Sequence, residues 1–158
     1  MNIAVDYLAD HPDAVPEIAR WLFDEWGHRS PDGSIEGLVG DLRDRLQRDT
    51  LPLALVAHED KEPIGTVSLK IREIEIRPQY EHWLGTLFVP ESRRHMGIGS
   101  LLVGAAADEA RRLEISELYL YTRQRETERL YKRLGWAEVE RLEYHGRPAI
   151  IMKAFLDA

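Results

Sequence analysis

The sequence predicts a single α/β domain in which helices flank a central mixed sheet. Three observations support this fold class. The length of 158 residues suits one core, so residues 1–158 are expected to form one domain. The composition, 44% hydrophobic and 31% charged, is typical of a globular protein. Apolar residues change along the chain between helical spacing and short strand-like runs.

The first third of the chain predicts one strand and two helices. Residues 2–8 alternate loosely in polarity, which indicates a first strand, and apolar residues at helical spacing predict a helix over about 11–27. The segment 27–34 is rich in Gly, Pro, Asp and Ser, which is typical of a loop. Ser34 is a suitable N-cap for a second helix with an apolar face over 35–46.

The middle of the chain changes to strands. The apolar runs 51–57 and 64–71, joined by the polar residues 58–63, predict a β-hairpin. The nearly all-apolar run 82–89 predicts a further strand at the centre of the sheet.

The last third alternates helices and strands. Helical spacing of the apolar residues begins again at Gly97 and predicts a third helix there. A separate, short fourth helix is expected to end before Gly135. The remaining predicted elements are a strand over 117–121, the short helix over 126–134 and a closing hairpin of 136–144 with 147–155. The complete predicted order is therefore βααβββαβαββ.

Charge and composition exclude several classes of protein. A formal net charge of −7 disfavours a general nucleic-acid binder. The absence of Cys excludes disulfides and thiolate sites, and the six His residues lack metal-ligand spacing, so no metal is expected. No run is long and apolar enough for a membrane span, and the N-terminus does not resemble a signal peptide. We therefore expect a cytoplasmic protein without a membrane or nucleic-acid partner.

The segment 87–100 (LFVPESRRHMGIGS) carries the most chemical information. It leads from a buried strand into the start of a helix, where free N–H groups and the helix dipole favour an anion. Gly97 and Gly99 would let a diphosphate approach the backbone, and Arg94 adds positive charge. Two glycines at a helix start are also common for packing alone. The dinucleotide-binding and P-loop motifs are both absent, so another kind of phosphate site is required.

Two motifs resemble those of the GNAT superfamily of N-acetyltransferases. The segment 94–99 (RHMGIG) is similar to its Arg/Gln-x-x-Gly-x-Gly/Ala signature, and 130–136 (LYKRLGW) is similar to its Leu-Tyr-x-x-Leu-Gly-Phe element. The order βααβββαβαββ matches as well, so the likeness covers essentially the whole chain. The resemblance implies a mixed, mostly antiparallel sheet and transfer of an acetyl group from acetyl-CoA to an amine.

The resemblance also implies where acetyl-CoA, the co-substrate, binds without a metal. The strand before the signature is expected to splay from its neighbour, so that the pantetheine arm of CoA binds like an added strand. The backbone amides of the turn are expected to hold the pyrophosphate. Gln124 stands near where many family members have an Asn, and its side-chain amide has the same hydrogen-bonding groups. The implied cofactor-binding residues are Leu87, Phe88, Val89, Arg94, His95, Met96, Gly97, Ile98, Gly99, Ser100 and Gln124.

Catalytic candidates follow from the same resemblance. Tyr131 matches the family's Tyr, which protonates the leaving thiolate, although a core aromatic would also suit its helix face. Trp83 stands where some members carry a glutamate, so the general base is open. Glu81 and His82 are adjacent candidates for the base, and a water relay is the alternative. Glu81 is also compatible with a purely structural position, as a solvent-exposed residue at the start of a strand.

Two questions stay open at the level of sequence. The rival to an enzyme is a degenerate acyl-CoA-binding or sensor domain without turnover. The acceptor, a small-molecule or peptide amine, is expected between residues 27–34 and 144–148, where the family builds its acceptor site. Asp24, Glu25 and Asp32 would favour a cationic amine. A homodimer is a further possibility.

Overall fold

The computed structural model describes residues 2–27 and 33–156. Within them the strands and α-helices follow the predicted order βααβββαβαββ. The elements are β1 (Ile3–Tyr7), α1 (Val15–Glu25), α2 (Ile35–Arg43), β2 (Leu53–Glu59), β3 (Glu62–Ile71), β4 (His82–Phe88), α3 (Ile98–Arg112), β5 (Glu117–Thr122), α4 (Arg125–Arg133), β6 (Ala137–Tyr144) and β7 (Arg147–Phe155).

The seven strands form one sheet in the order β1-β2-β3-β4-β5-β7-β6. All neighbouring strands are antiparallel except β4 and β5, which are parallel. The predicted α/β class with a mixed, mostly antiparallel sheet is thus confirmed. None of the described helices combines the length and apolar character needed to cross a bilayer.

The period-2 alternation of strand side chains divides the core between the two faces of the sheet. On β2, Leu53 and Leu55 pack in the cluster that contains α3, whereas Ala54 and Val56 pack against α1 and α2. On β3, Val67 and Leu69 belong to the α3 cluster. The alternate polar residues of β3, which are Thr66, Ser68 and Lys70, therefore lie on the face covered by α1 and α2.

The first helix is shorter than the predicted 11–27. Two 3₁₀ turns, Leu8–Asp10 and Pro12–Ala14, come before α1. They are separated at His11, whose φ of −134° and ψ of 55° are not helical. Pro16 sits in the first turn of α1, where its missing N–H costs no helical hydrogen bond.

The second helix starts as predicted but ends early. The Oγ of Ser34 accepts a hydrogen bond of 3.0 Å from the N–H of Gly37, which confirms the N-cap. The helix ends at Arg43, and Leu46 packs against the same apolar cluster from the turn that follows.

The first hairpin has a tighter turn than the predicted 58–63. Asp60 and Lys61 both have positive φ, 49° and 73°, so two residues suffice to reverse the chain. The polar residues on either side remain paired in the ladder, as His58 with Pro63 and Glu59 with Glu62.

Gly65 marks the closest approach of β3 to α3, and it leads to a stability prediction. A Cβ there would lie 2.9 Å from Leu102 Cδ1 and 3.3 Å from the carbonyl oxygen of Phe88. We expect Gly65→Ala to destabilise the fold by about 1–3 kcal/mol, because close-packed atoms must move. Thermal unfolding measures this effect. The control is Gly104→Ala within α3, where no described atom from outside the helix backbone lies within 4 Å of the added Cβ. Alanine should raise stability there through its higher helix propensity. A melting temperature of Gly65→Ala at or above the wild-type value would contradict this account of the packing.

Candidate active site

The sheet is split between β4 and β5. Trp83 and Tyr119 form the one register pair that joins these strands among the described residues. Further along, β4 pairs with β3 and β5 pairs with β7. The facing edges of the two strands therefore diverge and keep N–H and C=O groups that can bind a strand-like ligand. The splay that the family resemblance implies is present.

A β-bulge shapes the β4 side of this split. Thr66 pairs with Phe88 and Ser68 with Gly85, so β4 carries one extra residue across this interval. Thr86 lies in the bulge with a φ of +52°, a conformation that is costly for a β-branched residue. The bulge redirects the residues that follow it, including Leu87.

The turn after β4 presents the backbone of the α3 N-terminus. His95 and Gly97 both have positive φ, 65° and 82°, and Gly97 is the N-cap of α3. The carbonyl of Gly97 already accepts the Leu101 N–H at 3.0 Å. The N–H groups of residues 98–100 have no partner inside the helix, as in any first turn. No described atom lies within 4 Å of a Cβ built on Gly97, so the space above this backbone is open.

The charge at the start of α3 differs from that at the other helix starts. The first turns of α1, α2 and α4 contain Glu17, Glu36 and Glu126, which complement the positive end of each helix dipole. The first turn of α3 contains no acidic residue. An anionic ligand at this point meets the helix dipole without a competing carboxylate.

Arg94 lies beside the mouth of the split. Its Nε donates a 2.9 Å hydrogen bond to the carbonyl of Val89, and its guanidinium lies 5.7 Å from the centre of the Phe88 ring. Phe88 also contacts Trp21 and Trp26, with ring centroids 5.9 and 5.8 Å away. A ligand that binds the Val89 carbonyl from the same side would therefore compete with the Arg94 side chain.

Tyr131 is a buried residue of α4, only 4% exposed, whose ring packs 5.8 Å from that of Trp136. Its hydroxyl is not among the fully buried side-chain atoms of the described residues that lack a hydrogen-bond partner. Burial raises the pKa of this hydroxyl well above its ordinary value, so it stays protonated at neutral pH.

A Cβ on Gly99 would lie 3.8 Å from the side chain of Leu130. The two signature segments therefore meet at the start of α3.

Gln124 and Glu81 lie at the ends of the two strands that flank the split, after β5 and before β4. Gln124 is the exposed N-cap of α4, and its N–H donates to Thr122 Oγ1 at 3.3 Å. The carboxylate of Glu81 is 53% exposed and lies 3.8 Å from the guanidinium of Arg72. Glu81 precedes Trp83 and so lies on the paired side of the split. Trp83 itself is fully buried in an aromatic cluster.

A cavity of about 450 Å³ lies on the α1/α2 face of the sheet. It reaches from the helices to β3 and β4, and Thr86 connects its wall to the bulge beside the split. Its described lining residues are Leu22, Trp26, Gly27, Gly33, Ser34, Gly37, Leu38, Asp41, Leu42, Arg45, Lys70 and Thr86. The ends of the predicted 27–34 loop contribute to this wall, while 28–32 lie outside the described residues.

The charged residues of this cavity were not found from sequence. Arg45 Nη1 donates to Ser68 Oγ at 3.1 Å, and Lys70 Nζ lies 3.1 Å from Glu73 Oε1. Burial lowers the pKa of Arg45 and of Lys70, although Glu73 opposes the shift at Lys70. The sequence did contain a pattern that could have predicted part of this site. Polar residues alternate along β3, which places Ser68 and Lys70 on the same face of the sheet.

The residues that the sequence suggested for the acceptor lie elsewhere. Asp24 and Glu25 are not among the described lining residues, and Asp32 lies outside the described residues. The hairpin segment 144–148 does not line the cavity in the described part of the chain either. Tyr144 instead donates a 2.6 Å hydrogen bond to Glu75.

One histidine cluster is visible only in the structure. His58 Nε2 and His11 Nε2 lie 2.5 and 3.2 Å from Asp6 Oδ2. The hydrogen bond from His58 is the largest cause of a lowered pKa at Asp6. Three groups able to ligate a metal thus meet, from β1, from β2 and from between the two 3₁₀ turns, although their sequence spacing gave no such signal. This cluster lies on the β1 edge of the sheet, away from the split.

A mixed sheet that splits between two parallel strands, beside an unblocked helix start, is suited to an enzyme with a long phosphate-bearing co-substrate. The sequence profile of the acetyltransferase (GNAT) family matches residues 6–136, and the chain belongs to this family. It is therefore an acetyl-CoA-dependent acyltransferase, and the predicted family is confirmed.

Solved structures share the whole fold. Ard1 from Thermoplasma volcanium superposes with a TM-score of 0.77 at 18% identity, over 100% of both chains. An aminoglycoside 6'-N-acetyltransferase complexed with coenzyme A gives 0.76 at 19% identity, over 100% of this chain and 98% of that one. The yncA protein from Salmonella typhimurium, with its cofactor acetyl-CoA, gives 0.76 at 17% identity, over 99% and 95%. A comparison with curated proteins finds no match.

Proposed function

We propose that this protein transfers the acetyl group of acetyl-CoA to a primary amine by direct attack of the amine on the thioester. The observation that carries this proposal is the split between β4 and β5, which opens beside the unblocked start of α3. A thioester held in the split lies between the α1/α2 face, with its cavity, and the helix that carries Tyr131.

Acetyl-CoA binding uses mostly backbone groups. The pantetheine amides extend the β4 edge through the backbone of Leu87 and Val89, once Arg94 releases the Val89 carbonyl. The pyrophosphate binds at the N–H groups of residues 98–100, which the fold holds in place before the ligand arrives. The freed guanidinium of Arg94 then lies close enough to add positive charge to the same site.

The proton balance assigns a role to Tyr131. The amine nitrogen forms a bond to the carbonyl carbon, the C–S bond breaks, and the thiolate of CoA takes a proton. Tyr131 donates that proton, because burial keeps its hydroxyl neutral. The raised pKa increases the difference in pKa between Tyr131 and the thiol of CoA, which makes Tyr131 a weaker acid toward the thiolate. The rate enhancement from general acid catalysis is therefore expected near the lower end of its usual range of about 10²–10⁴.

The proton lost by the amine needs a separate acceptor. Glu81 remains a candidate, but its exposed carboxylate lies on the paired side of the split beside Arg72. That position favours a chain of water molecules leading out of the cavity over direct contact between Glu81 and the amine. Gln124 would order pantetheine or one of these waters from the start of α4.

The experiment combines purified protein, acetyl-CoA, a panel of amines and a thiol reagent that reports free CoA. The panel contains amino acids, their carboxamides, polyamines, aminoglycosides and a short peptide with a free N-terminus. We expect amine-dependent release of CoA above the rate without protein, and an acetylated amine by mass. Acetyl-CoA binding with no amine-dependent release across the panel would support a sensor domain instead. Sedimentation of the same sample tests the predicted homodimer.

A further inference from the structure

Arg45 occupies an unusual position in the cavity. It projects from the turn after α2 into the wall, is half-buried, and donates one hydrogen bond, to Ser68. In the described part of the chain no carboxylate oxygen lies within 4.0 Å of its guanidinium, although the protein has 28 acidic residues and a net charge of −7. A guanidinium has five N–H donors, so most of its capacity for binding an anion remains available.

The carboxylates of Asp41, Glu73 and Asp44 attract Arg45 electrostatically, but among the described residues none is in ion-pair contact with it. Lys70, whose side chain is 15% exposed, is paired with Glu73 at 3.1 Å. Asp41 lines the cavity but is exposed, and it forms no ion pair with Arg45 within 4.0 Å. The cavity wall therefore holds a half-buried cation that no described carboxylate contacts, so a ligand can supply the contacting counter-ion.

The geometry also relates this cation to the reacting centre. The ammonium group of Lys70 would lie 3.3 Å from a Cβ on Gly85, so the cavity floor reaches β4 at the bulge. Thr86, the next residue, lines the same cavity and borders the split. A small ligand held at Arg45 can therefore extend its other end toward the thioester. The volume of about 450 Å³ suits a small molecule rather than a large polycation.

We propose that the acceptor is a small amine that also carries a carboxylate, and that Arg45 binds this carboxylate with Lys70 beside it. This inference rests on the proposed function and names its acceptor class. The planar fork of Arg45 matches a carboxylate through two parallel hydrogen bonds. The amine of the same molecule then points toward the split, where it attacks the acetyl group.

The test compares matched acceptors. Initial rates are measured for the twenty amino acids, and kcat/KM is then compared for the best of them and its carboxamide. We expect the wild-type protein to prefer the carboxylate by about tenfold or more, as for a charge-assisted hydrogen bond. Arg45→Gln should remove this preference by raising KM for the carboxylate about tenfold or more, while KM for the carboxamide stays within about threefold. Arg45→Lys, which keeps the charge without the fork, should fall between them.

The control is Arg43→Gln, the same substitution at an exposed position in the last turn of α2 that does not line the cavity. It should keep the wild-type preference.

Equal rates for carboxylate and carboxamide in the wild-type protein, or a preference for aminoglycosides or polyamines, would overturn the inference while leaving amine acetylation intact. Equal losses on both acceptors in Arg45→Gln would assign Arg45 to holding α2 against β3, and would overturn it too. Failure to acetylate any amine would overturn both proposals. If Arg45→Gln does not fold, the wild-type comparison still decides.

Discussion

Tyr131→Phe is expected to lower kcat about 10²-fold or more while acetyl-CoA binds almost as tightly as before. The substitution removes only the hydroxyl, which is the group proposed to protonate the thiolate of CoA. A group that acts mainly in the transition state changes kcat more than it changes ground-state affinity.

The structure makes this substitution a clean one. The Tyr131 ring packs against Trp136 in the core, and Phe keeps that contact. We therefore expect the melting temperature to stay close to that of the wild-type protein.

The measurement is kcat on any accepted amine at saturating acetyl-CoA, with acetyl-CoA affinity followed separately by calorimetry. Tyr7→Phe is the matched control, because its hydroxyl donates a 2.7 Å hydrogen bond to Glu109, three strands away from the split. That variant should lose some stability and keep its kcat. A Tyr131→Phe rate within about threefold of wild type would show that Tyr131 is a core aromatic, the alternative that its helix position also allowed.

Gly97→Val is expected to abolish the rise in melting temperature that acetyl-CoA gives the wild-type protein. At 100 times Kd a ligand adds about 2.7 kcal/mol, or roughly 5–10 °C for a domain of this size. A β-branched residue disfavours the φ of +82° found at Gly97, and its side chain would fill the open space above the first turn of α3. The pyrophosphate then cannot reach the N–H groups of residues 98–100.

Gly146→Val separates this effect from backbone strain. Gly146 has a φ of +74° in the β6–β7 turn, and no described atom lies within 4 Å of a Cβ there. Both variants should melt below the wild-type protein without ligand, because each places a β-branched residue in the left-handed region. Only Gly97→Val should lose the response to acetyl-CoA. If it keeps the wild-type shift, the pyrophosphate does not bind at the start of α3.

The sequence predicted the elements that depend on local patterns. Apolar spacing identified each helix and strand in order, and Ser34 marked the start of α2 correctly. The errors lie at element ends. His11 interrupts the first helix, and positive φ at Asp60 and Lys61 shortens a turn, because backbone geometry at single residues outweighs periodicity there.

The sequence by itself determined the fold class, the order of elements and the family. These follow from periodicity and from two short motifs whose residues are neighbours along the chain, so they can be read without knowing any contact between distant segments. The backbone turn at Gly97 belongs to this group, because its geometry depends on a few consecutive residues.

Only the tertiary structure decided which side chains meet. Arg45 comes from the turn after α2 and Lys70 from β3, and the packing of α2 on the sheet brings both to one cavity. Glu73, just after β3, pairs there with Lys70. Asp6 and His58 meet through the pairing of β1 with β2, and His11 reaches them from between the two 3₁₀ turns that follow β1. Charged side chains have no periodic signal of their own, so their partners depend on which faces the fold buries together.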